Sequence, residues 1–156
     1  MLGSTAKIFN QLSHKQLIDL RGRMVMLLTA KAYSVEQIAV YEKAYDYFCE
    51  NPKSFDGATI VKDLIDIPGL DLDAMLHDYM YLTYGIAANF YTKWKADWLY
   101  AKGQERKGKG QYSAFSRFVG LTIIGIAFVP YTIYKKGNVT ENNKKIFLED
   151  YKILTK

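Results

Sequence analysis

Seventeen consecutive uncharged residues, Phe118 to Tyr134, lie between Arg117 and Lys135 and place the strongest constraint on this chain. The run FVGLTIIGIAFVPYTIY has to be kept from water by the protein itself, by a membrane surface or by a bilayer interior. It stands at the lower edge of a bilayer span, which takes ~20 residues. Gly120, Gly125, Thr122, Thr132 and Pro130 weaken a lone span, although such residues are tolerated in membrane helices. A buried core helix is the leading expectation, with an interface-seeking helix and a span as the alternatives. At 156 residues the chain is long enough to enclose such a helix in one domain.

Other segments carry helical signals of their own. Ser13-His-Lys-Gln16 has capping-box spacing and opens an amphipathic run to about Ala30. Ser34-Val-Glu-Gln37 repeats the device ahead of a helix to about Glu50. Its Ile38, Val40, Tyr41, Ala44, Tyr45, Tyr47 and Phe48 share one face, and Asn51-Pro52 ends it. Asp71 or Asp73 can cap a helix to about Ala88, and a second follows from about Tyr91 to Lys102, the two forming an antiparallel pair. Gly103 to Gly110 reads as an exposed loop, and Thr140-Glu141 opens a last helix. The expected architecture is one mainly α domain over 1–156: N-terminal helices within 13–50, a core at about 55–130 and a C-terminal helix at about 139–155.

Charge and composition narrow the surroundings. Residues 93–117 carry seven basic side chains against Asp97 and Glu105, a local charge of +5, while 56–78 carries six acids against Lys62. Such segments are either two solvated faces or a seat for a cation beside an anionic ligand. A lone Cys49 excludes an intramolecular disulfide framework, and the N-terminus lacks a signal-peptide pattern. The expected setting is a virion or a host cytoplasm rather than secretion. The 13 tyrosines suit half-buried sites, wet interfaces and membrane surfaces. Nucleic acid is not the expected partner. That reading rests on the basic stretch and on Tyr91, Trp94, Trp98 and Tyr100, and aromatics at helical spacing more often pack a core than stack on bases.

Of the two histidines, His14 belongs to a polar helix start and reads as a surface residue. His77 shares a helix face with Tyr81 and Tyr84, while its neighbour Asp78 points about 100 degrees away. Asp97, from the next helix, can return to one imidazole nitrogen. A carboxylate there fixes the tautomer and leaves the other nitrogen to deprotonate water. A carboxylate beside the histidine can hold a hard cation such as calcium. The same residues also fit a polar pair on a tyrosine-rich packing face.

His77-Asp78-Tyr79-Met80-Tyr81 resembles the His-Asp-x-x-Tyr motif on the catalytic helix of the phospholipase A2 superfamily. Asn89-Phe-Tyr91 and Lys95-Ala96-Asp97 resemble the Asn-Pro-Tyr and Ala-Asp elements of the disulfide-free phospholipase domain in parvovirus capsid proteins, with a spacing from His77 to Asp97 within two residues of that family's. Phe55-Asp-Gly-Ala-Thr-Ile60 ahead of this helix is similar to a phage-encoded family with an Asp-Gly-Ala-Ser-like element. The likeness covers about residues 55–100, more weakly to Gly125. It implies a phage-encoded, calcium-dependent hydrolase of a phospholipid ester acting at a membrane surface. His77 would be the general base, Asp97 its orienter and Tyr81 a support. Asp78 would be the calcium carboxylate, and Gly57 the source of loop carbonyls. The superfamily's Tyr-x-Gly-x-Gly calcium loop has no match between Phe55 and Leu70. The alternative is a non-catalytic virion protein that keeps the helix pair and binds other virion proteins or copies of itself.

Overall fold

The chain is mainly α-helical. The computed structural model describes residues 9–55, 67, 70–84, 90–108, 110–136 and 140–156, with only the backbone described at 90, 104, 106 and 124–136. Six α-helices lie among the described residues: α1 (His14–Ala30), α2 (Val35–Glu50), α3 (Leu72–Thr83), α4 (Phe90–Arg106), α5 (Gln111–Lys136) and α6 (Glu141–Leu154). No β-strand occurs among them, only an isolated bridge between Ile67 and Leu70. The chain divides into two compact units, 1–76 and 77–156, so the boundary falls within α3, between Leu76 and His77.

In the first unit, α1 and α2 start where local chemistry dictates. Ser13 and Ser34 each accept from the amide three residues on, and Gln16 and Gln37 return the bond to the cap amide. Each box satisfies two amides that a helix start would leave without partners. The buried face of α2 is Ile38, Val40, Tyr41, Ala44, Tyr45 and Phe48, with Tyr47 half-buried. Phe48 packs against Phe55 with ring centroids 5.1 Å apart, and Phe9 packs edge-on against both Tyr45 and Phe55. The buried tyrosines keep their hydroxyls bonded: Tyr45 donates to the Leu17 carbonyl at 2.7 Å and Tyr41 to Asp73 at 3.2 Å. Asp71 caps α3 by accepting from the amides of Asp73 and Ala74, each at 3.1 Å.

In the second unit α4 packs against both α5 and α6. Trp98 meets Phe118 of α5 edge-on at 5.4 Å, and Lys95 lies 4.3 Å from the Tyr151 ring of α6. Tyr84 donates to the buried carboxylate of Asp150. Two expectations change here. Gly103 to Arg106 is not loop: α4 continues through it, with Gly103 buried and its carbonyl accepting from Lys107. A side chain's absence at Gly103 is compatible with close packing, and the turn is delayed to Gly108 at φ +80°. The apolar run lies within the 26-residue α5. Its described part is not a core helix: Phe118 to Thr122 are half-buried and Ile123 is 64% exposed. Among the described residues no helix is long and apolar enough to cross a membrane.

Phe48 is fully buried between Phe55 and Tyr47, so Phe48→Ala is expected to lower stability by about 3–5 kcal/mol. Met26→Ser, at a 72% exposed position, is expected to be nearly neutral. Urea denaturation followed by circular dichroism separates the two.

Candidate functional site

Asp97 is the best-buried carboxylate of the second unit, with no solvent exposure. It sits on the face of α4 that also carries Lys93, one turn earlier. Such a group is tolerated only when donors replace the water it has lost. Four do so. His77 Nε2 lies 2.9 Å from Oδ1, and the Tyr81 hydroxyl donates to the same oxygen at 2.8 Å. Lys93 Nζ donates to Oδ2, as does the Thr122 hydroxyl at 3.2 Å. The carboxylate therefore gathers one residue pair from α3, a cation from its own helix and a hydroxyl from α5.

His77 and Tyr81 meet Asp97 together because they are four residues apart on α3, and their rings lie 4.4 Å apart. Tyr100 covers the imidazole from α4 with centroids 5.6 Å apart. The other ring nitrogen, Nδ1, is 3.8 Å from Asp78 Oδ1, an ion-pair distance beyond hydrogen-bond reach. The His77 and Asp78 side chains are 14% and 13% exposed, so the site is nearly dry on this side as well.

The charges follow from these contacts. Burial alone would raise Asp97, but His77 and Lys93 outweigh it and hold the carboxyl below its ordinary range. An ionised carboxylate can only accept, so Nε2 of His77 carries a proton. For His77, burial works against the charged ring; the carboxylates of Asp78 and Asp97 outweigh it and push the group up from 6.5 to about 9. Burial, and then the negative charge of Asp97, push the Tyr81 phenol up, so it remains a donor.

His77, Tyr81 and Asp97 thus come together, with Asp78 beside the imidazole. Gly57 lies outside the described residues, as does Asn89. His14 is exposed. As for calcium, Asp78 offers hard oxygen donors suited to it, whereas calcium takes about 6–8 oxygens. Among the described residues no cluster of three or more metal-binding side chains is present. Asp78 would need ligands beyond such a cluster to complete a calcium shell.

Lys93 and Thr122 are absent from the sequence-based site. Charge counting places Lys93 in a basic stretch, but it is 1% exposed and not part of a solvated surface. Its signal was the Lys-x-x-x-Asp spacing to Asp97, which summing charge over 93–117 conceals. Thr122 lies in the uncharged run and carries no comparable signal. The acidic segment likewise does not form a solvated face where it is described, since Asp71, Asp73 and Asp78 are buried or nearly so. No protein-family model, curated protein or solved structure matches this chain.

The folded value for His77 lies above its unfolded one, so the stability it contributes is complete below pH 6.5 and is lost as pH rises toward about 9. The loss amounts to roughly 3 kcal/mol over that window. Urea titrations across it are expected to show this decline in the wild type and its absence in His77→Gln, the difference between the two curves isolating the imidazole.

Proposed function

We propose that this chain is a phospholipase A2-like esterase in which His77 activates water for attack on a phospholipid ester. The observation that carries the reading is the 2.9 Å contact between His77 Nε2 and Asp97 Oδ1. It assigns Nε2 to the orienting carboxylate and leaves Nδ1 as the nitrogen able to take a proton from water. The Tyr81 hydroxyl holds the same carboxylate oxygen and so limits its rotation. When the proton moves to Nδ1, the imidazolium that forms lies between Asp97 and Asp78, whose charges stabilise it. Asp78 is the residue that would hold calcium, which when bound supplies positive charge for the ester carbonyl and the oxyanion formed from it. The resemblance of the His-Asp-x-x-Tyr helix to phage and parvovirus phospholipase-like domains supports the substrate class and a phage virion as the setting.

A second reading, a non-catalytic virion protein retaining the same helices, is favoured by the position of the imidazole between the Asp78 and Asp97 carboxylates. His77 takes up its proton below about pH 9 and then carries hydrogen on both nitrogens. In that state Asp97 is met by two cations and the network is an internal ion cluster without a base. Exposed Tyr112 and Phe115 on α5 would suit a protein partner.

The test is fatty-acid release from mixed phosphatidylcholine and phosphatidylglycerol micelles, run at a pH above the His77 titration with calcium or with chelator. Release is expected with calcium and not with chelator. His77→Asn is expected to lower it by roughly 100-fold or more. Equal background release from the wild type, from His77→Asn and in chelator would leave the non-catalytic reading in its place.

A further inference from the structure

We propose that Lys93 is a positioning residue that fixes the His77–Asp97 pair to the backbone of helix α5. Its ammonium donates both to Asp97 Oδ2 and, at 3.0 Å, to the carbonyl oxygen of Leu121. The next residue of α5, Thr122, places its hydroxyl on the same Oδ2. The orienting carboxylate is therefore attached to α5 at two consecutive residues, once directly and once through Lys93.

An ordinary ion pair four residues apart on a helix needs one contact, within its own helix. Lys93 goes further, because the same ammonium reaches a carbonyl of a second helix. A helical carbonyl keeps a second lone pair beyond its intrahelical bond, so Leu121 can accept without breaking α5. Burial sharpens the point. The Lys93 side chain is 2% exposed, and taking an ammonium out of water is unfavourable unless its geometry is used. An apolar residue of similar length would fill the same volume without that penalty.

The use follows from how a carboxylate moves. The terminal torsion of aspartate is broad and roughly two-fold, so burial alone does not say which oxygen faces the histidine. Anchoring Oδ2 between Lys93 and Thr122 leaves Oδ1 for His77 and Tyr81. Lys93 Nζ also lies 5.9 Å from the Tyr81 ring centroid, within cation–π range, which favours the tyrosine rotamer that reaches Oδ1. Lys93 touches neither His77 nor Asp78 in these contacts; its effect is transmitted through Asp97 and Tyr81. Seating of α5 is thereby coupled to the orientation of the imidazole.

The consequence for turnover rests on the esterase reading, but the positioning itself does not, and the experiment separates them. The hydrogen-bonded Nε2 proton of His77 is followed by NMR at one fixed, mildly acidic pH in the wild type, Lys93→Met, Lys93→Arg and Thr122→Val, alongside kcat and KM for micellar phospholipid. Lys93→Met is expected to move this resonance upfield and speed its exchange with water. Thr122→Val is expected to do the same to a smaller extent, and Lys93→Arg to restore the wild-type signal in part. In the active enzyme kcat is expected to fall roughly 10- to 100-fold in Lys93→Met with KM unchanged. A folded Lys93→Met whose Nε2 proton keeps its wild-type position and exchange rate overturns the proposal. Should Lys93→Met fail to fold, Thr122→Val decides by the same criterion. Absence of hydrolysis in every protein defeats the esterase reading and leaves the resonance test standing.

Discussion

A carboxylate without access to water organises the second unit of this protein. Removing an ion such as Asp97 from solvent costs several kcal/mol even after relaxation, so a fold that buries one has to deliver donors to it. Here the donors come from three helices: His77 and Tyr81 from α3, Lys93 from α4 and Thr122 from α5. Each has to arrive in register, because a missing donor leaves charge uncompensated in a dry site. The requirement ties the placement of α3 and α5 to a single side chain of α4. Apolar contacts such as Trp98 on Phe118 supply the burial, but they are non-directional and do not specify which turn of α5 faces Asp97.

The same carboxylate sets the chemistry. By accepting from Nε2 it fixes one end of the imidazole, and with Asp78 it strengthens the ring's hold on a proton. A tighter hold stabilises the fold at neutral pH and also makes a stronger base that is unprotonated only at alkaline pH. In the proposed esterase, stability and activity would therefore draw on the two protonation states of one residue. A positive charge near Asp78 would favour the neutral, reactive form by offsetting the carboxylate that now attracts the proton. The proposed cation-assisted esterase would use this enclosure of the histidine by rings and acids.

The sequence revealed features whose causes are local. Both serine capping boxes were readable because four consecutive residues hold all the donors and acceptors involved, and the buried face of α2 because the helical period aligns it. The approach of Asp97 to His77 was readable from motif spacing and resemblance. What stayed hidden depends on contacts between distant residues. Lys93 looked like one more cation in a basic stretch, since nothing nearby in sequence says that a Thr122 hydroxyl and a Leu121 carbonyl will enclose it. Gly103 looked like a breaker, because single-residue propensity does not register that the position is buried within a continuing helix. The run from Phe118 looked like core on hydropathy alone, yet Ile123 is 64% exposed while its neighbours Leu121 and Thr122 turn polar groups to Lys93 and Asp97.

The central claim, that Asp97 holds His77 through Nε2, is tested most directly by nitrogen NMR of the two imidazoles above the pH at which His77 loses its proton. His77 is expected to be fixed as the tautomer protonated at Nε2, with Nδ1 bare, while exposed His14 shows the mixed pattern of a solvated ring. A His77 spectrum with the proton on Nδ1, or one matching that of His14, would contradict the claim.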